Sequence, residues 1–283
     1  MTNFDRQYRL TIGKYGTKGI ELGSRENSEN IAPHISFSIE KSDKSTANTG
    51  KITLYNLSQE QLNILSQPDC NIALRAGYGA NMPLIGSGTI TYTTTSLSGA
   101  DRSTEIEYTE NLTALRDSYS AIGLSGAISG QRIIENFATE MGVAVAYSKS
   151  AAFKTFSNGF SYVGSAQNGL SKVCQACGLS WTIQNGVLQI RAKNEAMSYK
   201  AYLLNSETGL IEIPKKVTIS SSGDSAEQKG WEVRYFLNGA IGINDCVKIE
   251  SGVINGVFRV MKISMSGDSY SGDWLCTAQV VEA

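Results

Sequence analysis

The last quarter of the chain, Pro214 to Val281, reads as strand, turn, strand with almost no helical periodicity, and this limits what the chain can build. Val247 and Ile249, the turn Ser251-Gly252, and then Val257, Phe258, Val260 and Ile263 form β-branched runs bounded by Gly, Asn and Ser. Such runs are strands joined by tight turns. The segment holds no histidine, no ligand cluster and no catalytic nucleophile, so it builds a surface of sheet and not a pocket.

Residues 1–118 follow the same grammar. Tyr8-Arg9-Leu10-Thr11-Ile12 opens it, and in His34-Ile35-Ser36-Phe37-Ser38-Ile39 the residues Ile35, Phe37 and Ile39 share one face while Ser36 and Ser38 share the other. The strand Ile52-Thr53-Leu54-Tyr55 leads into a short helix expected to begin at Ser58 and end before Pro68. Ser58 and Gln61 have capping-box spacing, and Glu60 complements the dipole of the first turn. Strands are expected again at Asn71 to Tyr78, Leu84 to Ile90 and Thr104 to Tyr108, and their Gly and Ser turns suit a barrel or sandwich.

Residues 119–200 change character. Ile133, Ile134, Phe137 and Met141 form a helical stripe closed by Gly142, and Val143 to Tyr147 reads as a strand. The design recurs with Leu170, Val173, Cys174 and Cys177, the stop at Gly178, and the strand Leu179 to Ile183. Asn185-Gly186, between Trp181-Thr182-Ile183-Gln184 and Val187-Leu188-Gln189-Ile190, is a type I′ hairpin signal, because both central positions need positive φ. After Leu203 the sheet pattern returns. The expected fold is therefore α+β, mainly β, with a discontinuous β region interrupted by an inserted pair of small α+β modules.

Charge and cysteine usage remove several classes of function. The chain has 25 Lys plus Arg against 26 Asp plus Glu, without the global basic footprint of a nucleic-acid binder. The flanking parts are net acidic and the middle is net basic. Met1 to Leu10 lacks the basic start and apolar run of a signal peptide, and no apolar stretch approaches the ~18 residues of a membrane helix. A soluble protein made in the cytoplasm, with no membrane segment, is the expectation. The five cysteines, Cys70, Cys174, Cys177, Cys246 and Cys276, are then expected as free thiols, mostly buried.

Each candidate for chemistry has a plainer structural explanation. Cys174-x-x-Cys177 lacks the further ligands zinc needs, and both thiols fall in the last turn of a helix, not at the amino terminus where the dipole would activate them. Gly13 to Gly19 lacks the order of a phosphate loop and reads as a hairpin turn between Leu10-Thr11-Ile12 and Ile20-Glu21-Leu22. Glu105 and Glu107 alternate on one strand face, and with Glu110 they make a poor glycosidase pair; a solvated face is the reading. Serine hydrolase chemistry would have to use His34, the sole histidine, at a strand edge beside Pro33 and without a GxSxG turn. Trp181, Trp231 and Trp274 lie on separate predicted strands and are read as core and interface anchors, not a sugar-binding face. No catalytic, cofactor-binding or metal-binding residue is assigned, and no cofactor is expected.

The order of these elements resembles the baseplate hub protein of contractile-tailed bacteriophages, the Mu-like and T-even-like tail hub family. The resemblance is carried by Ile52-Thr53-Leu54-Tyr55-Asn56-Leu57-Ser58 leading to a helix, Ala76-Gly77-Tyr78-Gly79, and Leu84 to Ile90. It continues through Gly164 to Ile190 with the Asn185-Gly186 hairpin, then Gly267-Asp268 and Asp273-Trp274. It implies tube-like β-barrel domains: a first over 1–118, the α+β insertion over 119–200, and a segment over 201–283 completing the tube-like region. It also implies a structural protein of the virion tail baseplate, assembled in the host cytoplasm. Three chains would form a homotrimer that matches a hexameric tail tube protein to a central spike protein, beside other baseplate proteins. DNA would pass through the channel without specific binding, along a lumen lined by the acidic flanks. The rivals are the hub of a phage-derived contractile injection system, a carbohydrate-binding tail or adhesin module, and a cell-wall hydrolase.

Overall fold

The structure is a computed structural model and describes residues 5–23, 32–99, 101–198, 200–220 and 227–283. Met1 to Phe4, part of the amino-terminal stretch read above, lie outside the described residues.

The chain begins with β1 (Arg6–Gly13) and β2 (Ile20–Gly23), a hairpin that sets Leu10 opposite Leu22 and Ile12 opposite Ile20, so Gly13 to Gly19 is the turn expected. Next come β3 (Ile35–Ser42), β4 (Thr49–Tyr55), α1 (Gln59–Leu65), β5 (Asn71–Tyr78), β6 (Leu84–Ser98) and β7 (Asp101–Thr109). Helix α1 starts on the expected capping box: Ser58 Oγ accepts from the Gln61 amide, and the Gln61 side chain accepts from the Ser58 amide. Strand β6 runs on to Ser98, well past the expected end at Ile90, because the stretch after Ile90 is rich in β-branched threonine.

The middle holds α2 (Leu112–Arg116), β8 (Tyr119–Leu124), β9 (Ile128–Ser129), α3 (Gly130–Met141), β10 (Ala144–Tyr147), β11 (Thr155–Phe156), β12 (Phe160–Ser165), α4 (Ala166–Cys177), β13 (Leu179–Gln184) and β14 (Val187–Ala192). Helices α3 and α4 both end on a glycine in the left-handed region, Gly142 at φ 66° and Gly178 at φ 70°, and both start on a serine cap, Ser129 and Ser165. The β13–β14 turn has φ 50° at Asn185 and 77° at Gly186, as the hairpin signal requires. Strand β14 pairs with β13 on one side and in parallel with β10 on the other, so the two helix-glycine-strand units share one small sheet. Their core is common as well, with Ile133, Phe137, Leu170, Val173 and Trp181 all buried in it.

The last part comprises β15 (Ala201–Leu204), β16 (Lys215–Ser220), β17 (Glu227–Phe236), β18 (Cys246–Glu250), β19 (Asn255–Asp268) and β20 (Trp274–Glu282). These strands and those of the first part form one sheet in the order β16-β17-β20-β19-β3-β4-β7-β6-β5-β1-β2, with β18 joining β19 and β15 joining β18. The join is the antiparallel β3–β19 pair, where Ile39 faces Met265. Both parts feed one hydrophobic core, including Leu10, Ile52, Ile106, Val260, Ile263 and Val280. Each such side chain contributes about 1.5–3 kcal/mol on burial. The observed architecture is thus mainly β: one large, mostly antiparallel sheet and its core, interrupted in sequence by an α+β unit with a core of its own.

Candidate functional site

His34 immediately precedes β3 and is sandwiched between Tyr55 and Tyr270, with ring centroids 4.2 and 4.3 Å away and both interplanar angles 7°. Its Nε2 meets the Asp268 carboxylate at 2.9 and 3.0 Å. Asp268 opens the β19–β20 turn, and its Oδ1 also accepts the amides of Tyr270 and Ser271. Burial alone would raise the Asp268 pKa, but the Ser271 amide, His34 and the Tyr270 amide outweigh it and hold the carboxylate below its ordinary range. With one nitrogen on a carboxylate and both faces covered, the imidazole clamps a turn.

Other groups hold the same turn. Arg6 on β1 donates to the carbonyls of Asp268 and Gly272, at 2.9 Å each, and lies 5.8 Å from the Trp274 ring centre. The Tyr78 hydroxyl donates to the Trp274 carbonyl at 3.3 Å. The β1–β5 end of the sheet is thereby drawn against β19–β20, closing the sheet round its core through side chains.

A second polar cluster joins the α+β unit to the sheet. Asp43 Oδ2 accepts from Arg191 of β14 at 2.8 Å and from Arg259 of β19 at 3.3 Å, and Arg259 also donates to Asn244 at 2.8 Å. Glu110 accepts from Asn48 at 2.8 Å and from the Asn185 amide at 2.6 Å, and Lys41 donates to Asn185 Oδ1 at 2.7 Å. Burial and the neighbouring Arg259 push Arg191 down to about 10 against the pull of Asp43, and burial also lowers Lys41 against Glu110. These buried charges are consumed in joining two units, because an unpaired charge there costs several kcal/mol.

The three glutamates weighed as a glycosidase pair have different surroundings. Glu105 pairs with Lys51 of β4 at 2.6 Å, Glu107 is exposed, and Glu110 is buried in the polar seam. The solvated-face expectation therefore holds for Glu107 and is corrected at Glu110, which reaches inward to the hairpin. Lys51 lies far from Glu105 in sequence and comes beside it only through the β4–β7 pairing.

Cys174 is buried in the core of the α+β unit, and its thiol is pushed up to about 12 by burial and then by Cys177. A raised thiol is the reverse of an activated one. Among the described residues no group of three or more His, Cys, Asp or Glu is placed to hold a metal ion. Trp181 is a core residue whose indole donates to Ser171 at 3.1 Å, Trp274 is buried beside Phe37, and Trp231 lies under Lys216. The tryptophans thus do not form one aromatic face. A groove of about 930 Å³ runs between the β1–β2 turn, α2 and the end of α3.

The remaining feature is the set of sheet margins. Among the described residues strands β16 and β2 end the strand order, β15 pairs with β18 alone, and beyond Ile90 strand β6 pairs with β7 alone. Exposed backbone donors and acceptors of this kind template pairing with another chain. Large apolar side chains stand exposed at or near these margins, among them Tyr92, Leu97, Ile213 and Phe236.

Sequence reasoning missed the polar seam and the turn clamp. Lys41 and Asp43 continue the buried parity of Ile35, Phe37 and Ile39, and a charge at the inward parity of a strand is the signal that would have found them.

Neither a protein-family model nor a curated protein sequence matches the chain. Solved structures do. The 43 kDa tail protein of prophage MuSo2 from Shewanella oneidensis matches with a TM-score of 0.63 at 11% identity, over 98% of each chain. The tail protein from Neisseria meningitidis MC58 matches with 0.63 at 9%, over 96% of each. An E. coli component of the type VI secretion system, described as structurally similar to the T4 bacteriophage tail proteins gp27 and gp5, matches with 0.63 at 11%, over 91% of this chain and 76% of that one. At these identities the likeness concerns the fold, and the fold of this chain is that of phage and prophage tail proteins and of their secretion-system counterparts.

Proposed function

We propose that this chain is a structural tail hub: three copies form a ring that joins a hexameric tail tube to a central spike and leaves a channel for DNA. The observation that carries the reading is a tail-protein fold matched over 98% of both chains by the prophage protein, in a sheet with unpaired margins among the described residues. The β-rich parts 1–118 and 201–283 would serve as tube-like domains, two per chain and six per ring, with 119–200 on the periphery. The partners would be the tube, spike and other baseplate proteins. Closed symmetric assembly covers strand margins that would otherwise aggregate.

The acidic balance of the flanking parts suits a lumen that DNA slides through without sticking. The site of the protein would be the virion baseplate, after assembly in the host cytoplasm. The match to a type VI component supports a second reading with the same physics, the hub of a phage-derived injection system.

Mass in solution by light scattering, followed by negative-stain imaging, tests the proposal. A three-chain ring with a central channel is expected. A monomer at every concentration, also in the presence of tube and spike proteins, would overturn it.

A further inference from the structure

The polar seam buries an amine against an amide. Lys41 of β3 is 5% exposed, and its Nζ lies 2.7 Å from Oδ1 of the Asn185 side chain, across 144 positions of sequence. Burial lowers the Lys41 pKa against the pull of Glu110, which enlarges the share of free amine. A desolvated lysine of this kind is a nucleophile, whereas a solvated ammonium is not. The atom within its reach is the amide carbon of Asn185, one bond beyond the oxygen it already touches.

The surroundings single out that amide. Asn48 and Gln184, two further amides of the seam, are held through both polar atoms: Asn48 accepts from the Ser42 amide and donates to Glu110 and Gln184, and Gln184 donates to Thr182 and the Ser42 carbonyl. The side chain of Asn185 bonds to Lys41 alone among the described residues, so its Nδ2 is not held. Its main chain is fixed, with φ at 50° and the N–H donating to Glu110 Oε1 at 2.6 Å. Glu110, 3% exposed, therefore stands against both groups, with Oε2 3.9 Å from Lys41 Nζ. A gap of that size closes when reacting groups engage. Glu110 and Asn185 also line the groove beside α2, which gives a small leaving group a route to solvent.

We propose that Lys41 and Asn185 join spontaneously in an isopeptide bond, with Glu110 as the proton carrier. The Lys41 amine attacks Cγ of Asn185, and the Nζ–Cγ bond forms. Glu110 takes one proton from Nζ and passes it to Nδ2, the Cγ–Nδ2 bond breaks, and ammonia leaves. The carboxylate returns to its starting state, so one amine and one primary amide become one secondary amide and ammonia, without oxidant, metal or co-reactant. Holding the two groups in contact supplies the proximity that the same reaction lacks in free solution. The product is a covalent staple between β3 of the large sheet and the β13–β14 hairpin of the α+β unit. It does not rest on the hub reading.

The test is the intact mass of the purified, denatured full chain, followed by proteolysis and sequencing of the peptides by mass spectrometry. The parent is expected to be lighter than its sequence by one ammonia and to yield a branched peptide joining Lys41 to Asn185. Lys41→Arg and Glu110→Gln are expected to keep their sequence mass and to yield linear peptides, with circular dichroism checking that each keeps the parent spectrum. The parent decides the matter even if a variant fails to fold. A parent that stays at its sequence mass after long incubation, with linear peptides alone, would overturn the proposal. Loss of ammonia with a linear Asn185 peptide would mean ring closure onto Gly186 of the Asn-Gly pair, and would overturn it as well. A branched peptide formed by Glu110→Gln at the parent's yield would sustain the bond and overturn the role given to Glu110.

Discussion

The indole N–H of Trp274 donates to the main-chain carbonyl of Gly77 at 3.2 Å, across 197 positions of sequence. It fastens the start of β20 to β5, and no ladder of main-chain hydrogen bonds joins those two strands among the described residues. The ring also stands edge-on to Phe37 at 5.2 Å.

Trp274→Ala is expected to cost about 3–5 kcal/mol, the usual range for emptying a buried aromatic position. Trp274→Phe keeps most of the packing, loses the N–H, and should cost less. Urea unfolding of the two variants checks the order, and equal stability of Trp274→Ala and the parent would remove this contact from the closure.

Asp43 serves two buried guanidinium groups at once. Asp43→Ala leaves both Arg191 and Arg259 without their carboxylate, and breaking a buried pair in this way costs about 3–5 kcal/mol. Replacing Asp43, Arg191 and Arg259 together by apolar residues should cost less than Asp43→Ala alone, because no charge is then stranded. Denaturation curves of the single and triple variants decide this, and a milder single variant would contradict the description of the seam.

The Asp268 carboxylate is held below its unfolded value of about 3.9. A depressed acid stabilises the folded state above the unfolded pKa, and that contribution is lost as pH falls through the folded value. Stability should therefore fall below about pH 4 by more in the parent than in Asp268→Asn. Chemical unfolding at a series of acidic pH values reads the difference, and parallel curves would remove Asp268 from the acid response.

Gly178 ends α4 at φ 70° with open space where a Cβ would stand, so substitution there tests backbone strain alone. Gly178→Ala should destabilise by about 1–2 kcal/mol, and Gly178→Asn by less, because asparagine tolerates the left-handed region. A neutral alanine, measured by thermal unfolding, would contradict the cap.

Of the five thiols, Cys177 alone is partly exposed. Brief alkylation of the native protein followed by peptide mass spectrometry should modify Cys177 well ahead of the other four. Faster modification of Cys174 would mean that the α+β core opens readily.

The strands and helices that were readable in the sequence are those whose signals are local. Alternation gave Ile35, Phe37 and Ile39 their face, the Ser58–Gln61 box gave α1 its start, and Asn185-Gly186 gave the hairpin. The pairing of β3 with β19 left no local trace, because its register depends on which distant strand offers a matching inward face. The seam stayed hidden for a related reason: Lys41, Asp43 and Glu110 look like solvated charges until the β13–β14 hairpin is laid over them. In the sequence His34 is the sole histidine at a strand edge, and its ring partners come from β4 and from a turn more than two hundred positions away.

The β3–β19 join also sets a timetable. Ser42 is paired with Lys262, so the inner strand of the first part waits during synthesis for a partner made near the end. At the usual elongation rate of about 5–20 residues per second the delay is on the order of ten to forty seconds. During that interval the nascent chain shows the ribosome exit an uncompleted sheet, and a prematurely terminated chain never completes it. A chain that ends before β19 thus leaves the Ile35–Ser42 strand without one of its two partners.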